Sequence, residues 1–354
     1  MTMEIFRNYR VSYLEDRAIF PGLMNFWPKC WLVAGVLTVL LLPLLLENYW
    51  IYTINLGLIA VIGAIGLNLL TGCSGQISLA HASFLALGAY TTAFLGRYGL
   101  PLYLVIPVSG AVAALVGSLV VVPAVRLRGL YLALATLAFS AIIDFLIRKA
   151  DFLTGGAVGT HVESAKLFGL TVKGERSFYY LVLVIAAISA LFAKNLERSK
   201  VGRAMMAIRD SDIAAEMAGI SVFWTKLTAF AISSFLAGVA GSLLAYNLQY
   251  INPDNFGLAV SVSYVAMIIV GGLGTVIGSV FGALFMVFLP EVVRVTLHAA
   301  SGVFPELNVA ASGAFAEGAI YGLVIIIFLM FKPEGLARFW HDLLTYFRSW
   351  PFTY

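Results

Sequence analysis

Charged side chains are concentrated in residues 194–226, a stretch enclosed by two long apolar runs. Within it, the segment IAAEMA favours a short helix, with Asp210 or Ser211 as its N-cap and Gly219 as its C-terminal stop. Three apolar side chains fall at positions i, i+4 and i+7 of this helix and form a narrow stripe, Ile213, Met217 and Ile220. Such a stripe can lie in a groove of a soluble partner or rest on the membrane surface, and spacing alone does not separate these alternatives.

A second informative stretch, residues 66–90, places uncharged polar groups and glycines within an apolar setting. Polar groups at membrane depth are tolerated inside the protein or along a cavity. They could therefore line a pathway for a polar or zwitterionic solute, or they could form interhelical hydrogen bonds around a tight turn. The candidate pathway residues are Asn68, Thr71, Gln76, Ser78, His81 and Ser83.

Motifs for catalysis do not occur in the sequence. The dipeptide Gly-Lys is absent, which excludes a Walker A phosphate-binding loop, and there is no H-E-x-x-H, G-x-S-x-G or paired Cys-x-x-Cys motif. The four histidines are scattered along the chain without ligand spacing. We therefore expect no intrinsic enzyme activity, no catalytic residues, and no metal or cofactor bound by this chain.

The composition requires a membrane environment for most of the chain. Of 354 residues, 61% are hydrophobic and 11% are charged, whereas soluble domains are about a quarter charged. Apolar runs of membrane length predict an all-α polytopic protein with about ten transmembrane helices, with eight to eleven possible. The predicted spans are 31–46, 53–71, 77–96, 102–125, 129–147, 178–193, 227–248, 259–276, 278–297 and 316–331.

The distribution of lysine and arginine predicts the orientation. With an even number of spans and both termini in the cytoplasm, most of the 22 basic residues fall on the inner side. This orientation gives a cytoplasmic N-terminal extension (1–30), a transmembrane domain (31–337) and a cytoplasmic tail (338–354). Within the transmembrane domain it places loop 194–226 in the cytoplasm and loop 149–177 outside.

Ionisable residues within the predicted spans lie near the span ends. Asp144 with Arg148 and Glu291 with Arg294 have helical ion-pair spacing. A carrier driven by protons or sodium generally needs ionisable groups at the midplane, so a self-sufficient carrier or channel is disfavoured. A membrane scaffold without transport is a further alternative.

Several motifs occur together in one order. They include GLNLLTGCSGQISLAHASFLALGAY, LRGLYLALATLAFSAII, VGRAMMAIRDSDIAAEMAGISVFWTK and INPDNFGLAVSVSYVAMIIVGGLGTVIG. In these motifs the sequence resembles the permease subunits of branched-chain amino acid ABC importers, specifically the LivM-like half, from about residue 54 to 337.

The resemblance implies a subunit of an assembly in the bacterial inner membrane that imports leucine, isoleucine and valine. Its expected partners are a LivH-like permease, two cytoplasmic ABC ATPases that bind ATP and magnesium, an extracytoplasmic binding protein and membrane lipid, but no nucleic acid. Urea, short amides and aromatic or other small acids are alternative solutes of similar permeases. The resemblance also implies that loop 194–226 carries a coupling helix for the ATPase, with roles for Arg209, Asp210, Ile213, Glu216, Met217 and Gly219.

Overall fold

The computed structural model describes residues 26–124, 127, 129–163, 166–167, 170–171, 174–303, 322–323, 326, 330 and 335–338. Contacts divide the chain into two compact units, Met1–Ile51 and Tyr52–Tyr354. The described part of the first unit contains helix α1 (Phe26–Leu45), which includes Pro43, and the first turn of α2. The functional residues predicted from the sequence all belong to the second unit.

The described part of the second unit is almost entirely helical. Helix α2 (Asn48–Asn68) continues into a π-helical turn at Leu69–Cys73. The later helices are α3 (His81–Gly96), α4 (Leu102–Ala124), α5 (Leu130–Lys149), α6 (Asp151–Thr154), α7 (Glu175–Arg198), α8 (Lys200–Asp210), α9 (Asp212–Met217), α10 (Val222–Leu248), α11 (Leu258–Gly271) and α12 (Val276–Val303). Two short antiparallel ladders pair β1 (Thr160–His161) with β4 (Tyr250–Ile251) and β2 (Lys166–Leu167) with β3 (Leu170–Thr171).

Seven helical segments among the described residues are long and apolar enough to cross a membrane. They are Asn48–Cys73, Leu102–Val120, Leu130–Lys149, Glu175–Arg198, Val222–Leu248, Pro253–Gly271 and Val276–Thr296. This confirms the prediction of an all-α polytopic membrane protein.

The prediction of ten spans differs from this set at three places. The predicted span 77–96 is shorter than expected, because residues 77–80 are not helical and α3 has only 16 residues. Helix α1 is not among the seven, and the predicted span 316–331 lies almost entirely outside the described residues. The two termini also lie outside the described residues, so their location in the cytoplasm stays a prediction.

Helices α3, α4 and α10 pack closely because small residues face one another. Gly88 lies against the backbone of Gly238, and Gly241 lies against the carbonyl of Leu85, so neither glycine has room for a Cβ. Thr92 Oγ1 donates to Ser242 Oγ at 2.7 Å and lies 2.9 Å from Ser109 Oγ. Close backbone approach and interhelical hydrogen bonds are the interactions that hold helices together in lipid. These small residues therefore serve packing between helices of this chain.

Candidate functional site

Short polar side chains shape the loop between α7 and α10. Ser199 caps α8 by accepting a hydrogen bond from Gly202 N, and Ser211 caps α9 by accepting one from Ala214 N at 3.3 Å. Gly219 has a φ of +81° and ends α9, where Ile220 N donates to Ala215 O at 2.9 Å. This pattern is a Schellman motif, which uses glycine for the left-handed residue. The predicted helix, its Ser211 cap and its Gly219 stop are confirmed.

Helix α9 exposes two of the three residues of the predicted stripe, whereas the third, Ile220, lies beyond the end of the helix and is half-buried. Ile213 is 63% exposed and Met217 is 86% exposed, while Ala215 on the opposite side is 3% exposed. Glu216 is exposed as well. The helix therefore packs on the protein through a small residue and leaves two large apolar side chains and an acidic one available for contact.

A buried ion pair fixes the start of α9 to α10. Lys226 Nζ lies 2.9 Å from Asp212 Oδ2, and the two side chains are only 7% and 12% exposed. Sequence reasoning counted both residues only as loop charges. No local signal could have paired them, because they are 14 residues apart and a turn separates their helices.

Helix α8 packs on a small apolar cluster beneath the loop. Met205 is fully buried and packs with Leu70 of the π-helical turn, Leu132 of α5 and Phe230 of α10. Because one residue, Ser211, separates α8 from α9, the exposed stripe is attached directly to this packed helix.

Arg209, at the end of α8, contacts two turns of the transmembrane domain. Its Nη1 donates to the carbonyl oxygen of Gly72 in the π-helical turn at 2.5 Å. A Cβ added at Gly75 would lie 3.3 Å from Arg209 Cα, and one added at Gly274 would lie 3.0 Å from Arg209 Nη1. Gly75 and Gly274 both have positive φ, at +69° and +77°. Arg209 thus lies against the turn after α2 and the turn between α11 and α12.

Asn68 connects the same two turns from within the protein. Its Oδ1 accepts from Gly274 N at 2.8 Å, and its Nδ2 donates to Thr275 O at 2.8 Å and to Ser279 Oγ at 2.7 Å. The amide is buried, and both its nitrogen and its oxygen are hydrogen-bonded. Of the two roles considered for Asn68, this structure shows the interhelical hydrogen bonds.

The other candidate pathway residues stabilise the chain between α2 and α3. Thr71 Oγ1 donates to Gln76 O at 3.1 Å, and Gln76 Nε2 donates to Ser74 Oγ at 2.9 Å. The hydroxyl of Ser78 accepts from Ala80 N at 3.4 Å, and Ser83 is buried.

Helix α3 begins in the interior of the protein, at the end of the non-helical stretch 75–80. Ala82 N donates to Ser261 Oγ of α11 at 2.9 Å, and Leu79 N donates to Thr136 Oγ1 of α5 at 3.0 Å. His81 is buried with its ring 4.8 Å from that of Tyr264, and its Nε2 has no hydrogen-bond partner among the described residues. Hydroxyls of neighbouring helices thus satisfy the backbone donors that this break in the helix frees.

A cleft of about 290 Å³ lies where the loop meets the turn after α2. Its lining residues are 74–76, 127, 129, 132, 208–213 and 226. The cleft brings Gln76, a candidate pathway residue, together with Arg209, Asp210 and Ile213, which are expected to act in coupling to the ATPase. It does not include the other candidate pathway residues, nor Glu216, Met217 and Gly219.

The opposite end of the domain is held by exposed polar contacts. Arg148 contacts Asp144 at 2.9 Å and Asp254 at 2.8 Å, and Arg97 Nη2 donates to Thr160 Oγ1 at 2.9 Å. The β1–β4 ladder joins the predicted outer loop to the chain after α10. The predicted pairing of Asp144 with Arg148 is confirmed, as is that of Glu291 with Arg294, at 3.3 Å.

Metal binding has no structural support within the described ranges. They contain no group of three or more His, Cys, Asp or Glu side chains that could hold a metal ion.

Comparisons with known proteins agree on one family. A family model described as "Branched-chain amino acid transport system / permease component" matches residues 49–330. The chain is 32% identical over 333 residues to the high-affinity branched-chain amino acid transport system permease protein LivM of Escherichia coli K12, covering 87% of this chain and 74% of that protein.

More distant relatives include a second branched-chain amino acid permease and a permease named for a sugar. A probable LivH permease of Methanocaldococcus jannaschii is 28% identical over 83% of this chain and 92% of its own length. The ribose import permease RbsC of Haemophilus influenzae is 27% identical over 64% of this chain and 71% of its own length. No solved structure gives a significant match. With the family model covering most of the chain and with LivM similar along most of its length, the protein belongs to the branched-chain amino acid transport permease family and is a LivM-like, multi-pass membrane protein.

Proposed function

We propose that this chain is the membrane-spanning permease subunit of an ATP-driven ABC importer of branched-chain amino acids. The single observation that carries the proposal is the pairing of an outward apolar stripe on α9 with an inward contact of Arg209 on the transmembrane turns. A loop that only connected two helices would need neither feature. A loop that transmits motion from a soluble subunit needs both.

In this proposal the stripe of α9 lies in a groove on a cytoplasmic ABC ATPase, which binds the ATP and magnesium. When the ATPases close, α9 is displaced and α8 moves with it. Arg209 and Met205 then move the π-helical turn, because they contact Gly72 and Leu70. Asn68 passes the displacement to the turn before α12 through its three hydrogen bonds.

The remaining partners follow from the family. A LivH-like permease completes the transmembrane pathway, two ATPases lie in the cytoplasm, and an extracytoplasmic binding protein delivers the solute. We place the assembly in the bacterial inner membrane. The names of the LivM and LivH relatives support branched-chain amino acids as the solute, whereas the ribose permease is similar over a smaller share of the chain.

Uptake of labelled leucine in cells that lack this chain, before and after complementation, tests the proposal. Complementation should restore uptake, and unlabelled valine should compete where urea and benzoate do not. Unchanged leucine uptake after deletion would contradict the assigned substrate.

The variant Glu216→Lys tests the coupling role. It reverses the charge beside the stripe at an exposed position, so folding and insertion should be retained. We expect leucine uptake to fall about tenfold or more, in line with the roughly 1.5–3 kcal/mol of a hydrogen bond to a charged group. Normal uptake by a correctly inserted Glu216→Lys protein would contradict the proposed coupling role of α9.

A further inference from the structure

The cleft between α8, α9 and the turn after α2 has room for a small solute, and its lining adds Ser74, Gln76 and Lys226 to three of the residues assigned to coupling. Its volume of about 290 Å³ corresponds to roughly ten water molecules at about 30 Å³ each. This is near the lower end of small-molecule pockets, which begin at about 300 Å³. A solute the size of a free amino acid fits such a space.

The charges that line the cleft balance each other. The lining residues include two cations, Arg209 and Lys226, and two carboxylates, Asp210 and Asp212, of which Lys226 and Asp212 pair with each other at 2.9 Å. A solute with a single charge would meet a like charge on one wall, whereas a zwitterion can place each of its ends near an opposite charge. Lys226 and Asp212 are largely buried, and electrostatic interactions there are stronger than in water.

The cleft also has an aliphatic wall. Leu132 and Ile208 are each 4% exposed, and Leu127 lies beside them on the lining. A solute with one carboxylate, one ammonium group and an aliphatic side chain complements both the charged and the aliphatic parts of the lining.

We propose that this cleft binds a free aliphatic amino acid from the cytoplasmic side, and that the bound amino acid slows further import. This inference rests on the proposed function, since the ligand is the imported product. Ser74 and Gln76 line the cleft on the side of the transmembrane turn, and Ser211 and Ile213 line it at the start of α9. A ligand held between these walls stabilises the conformation in which the cleft has this shape, and it therefore slows any step of transport in which α9 moves relative to the turn after α2.

The test uses the complete transporter in proteoliposomes, with ATP in the lumen and binding protein and labelled valine outside. With L-leucine also in the lumen, we expect initial valine uptake to fall by about fivefold or more, the lower limit of typical allosteric coupling. The singly charged analogues 3-methylbutylamine and 4-methylpentanoate should not inhibit. Failure of uptake into vesicles without luminal leucine would overturn the proposed function, whereas normal uptake that luminal leucine leaves unchanged would overturn only this inference.

A double variant, Asp212→Asn with Lys226→Gln, locates the site. It replaces the ion pair with a neutral hydrogen-bonding pair and leaves no buried charge without its partner, which is the costly outcome of single substitutions. Because the pair also holds α9 to α10, uptake by this variant is measured with and without luminal leucine, and we expect the ratio of the two rates to be close to one. Inhibition that persists in this variant would contradict the assignment.

Protection from chemical labelling gives a second readout that does not depend on the double variant. Leu127→Cys, in a chain with Cys30 and Cys73 replaced by alanine, places one thiol on the cleft lining. We expect L-leucine to slow labelling of this thiol by a maleimide in the complete transporter, whereas 3-methylbutylamine and 4-methylpentanoate should not. A labelling rate that leucine leaves unchanged would overturn the inference.

Discussion

The two ends of the transmembrane domain each use an arginine to hold loops together, but the arginines have different partners. Arg148 lies between two carboxylates, Asp144 and Asp254, whose side chains are 48% and 74% exposed. Arg209 instead donates to a backbone carbonyl and lies against glycines that leave little space around it.

Under the proposed function, this difference distinguishes the end that would transmit motion from the end that would not. Exposed ion pairs contribute little and tolerate rearrangement, because the side chains are long and water competes for them. In the contact of Arg209 with Gly72, by contrast, the acceptor belongs to the backbone of a tight turn. Only the donor is on a flexible side chain. In the proposed mechanism a displacement of α8 is therefore passed to the turn after α2, while the opposite end can hold its loops without following every movement.

Gly72→Ala should give the largest effect. A Cβ at Gly72 would meet the side-chain oxygen of Asn68 and the backbone nitrogen of Gly274, so we expect a loss of about 1–3 kcal/mol or more and little assembled protein. Gly96→Ala is the matched control at the opposite end, since a Cβ there would lie 3.9 Å from Glu163 Cβ. Thermal unfolding in detergent measures both, and equal stability of the two variants would contradict the difference between the ends.

Arg209→Ala should have the next largest effect, on transport rather than on folding. Loss of a hydrogen bond from a charged donor removes about 1.5–3 kcal/mol, which corresponds to a fall in leucine uptake of about tenfold or more. Arg203→Ala is the control on the same helix, because Arg203 donates to Arg198 O at the surface. If both variants transport equally well, Arg209 does not connect the loop to the turns.

Asp254→Asn should have the smallest effect. Asp144 still pairs with Arg148 in this variant, and Asp254 is largely exposed. We expect an unfolding temperature and leucine uptake close to those of the wild type, measured at low and at physiological salt. A loss of uptake comparable to that of Arg209→Ala would show that the opposite end transmits motion as well.

Local features of the fold and site could be predicted from the sequence. Capping residues such as Ser211, the left-handed Gly219 and the helical pair Asp144 with Arg148 depend on neighbours within a few positions. Apolar length likewise identified most of the spans, because the bilayer thickness sets it.

The long-range contacts could not be predicted in this way. Arg209 and Gly72 are 137 residues apart, and Asn68 and Ser279 are 211 apart. Nothing in helical periodicity brings such pairs together. The polar groups of residues 66–90 were equally suited to lining a pathway and to bonding between helices, and only the fold shows that Asn68 does the latter.

The π-helical turn at Leu69–Cys73 also constrains how this chain can change in length. In an α-helix each residue turns the chain by about 100°, since there are about 3.6 residues per turn. A single-residue deletion here would therefore restore regular winding and rotate Gly72 away from both Asn68 and Arg209. The number of residues between Asn68 and Gly75 should therefore stay unchanged in descendants of this gene. Insertions and deletions should accumulate instead in the loops at the end of the domain that contains Arg97 and Arg148.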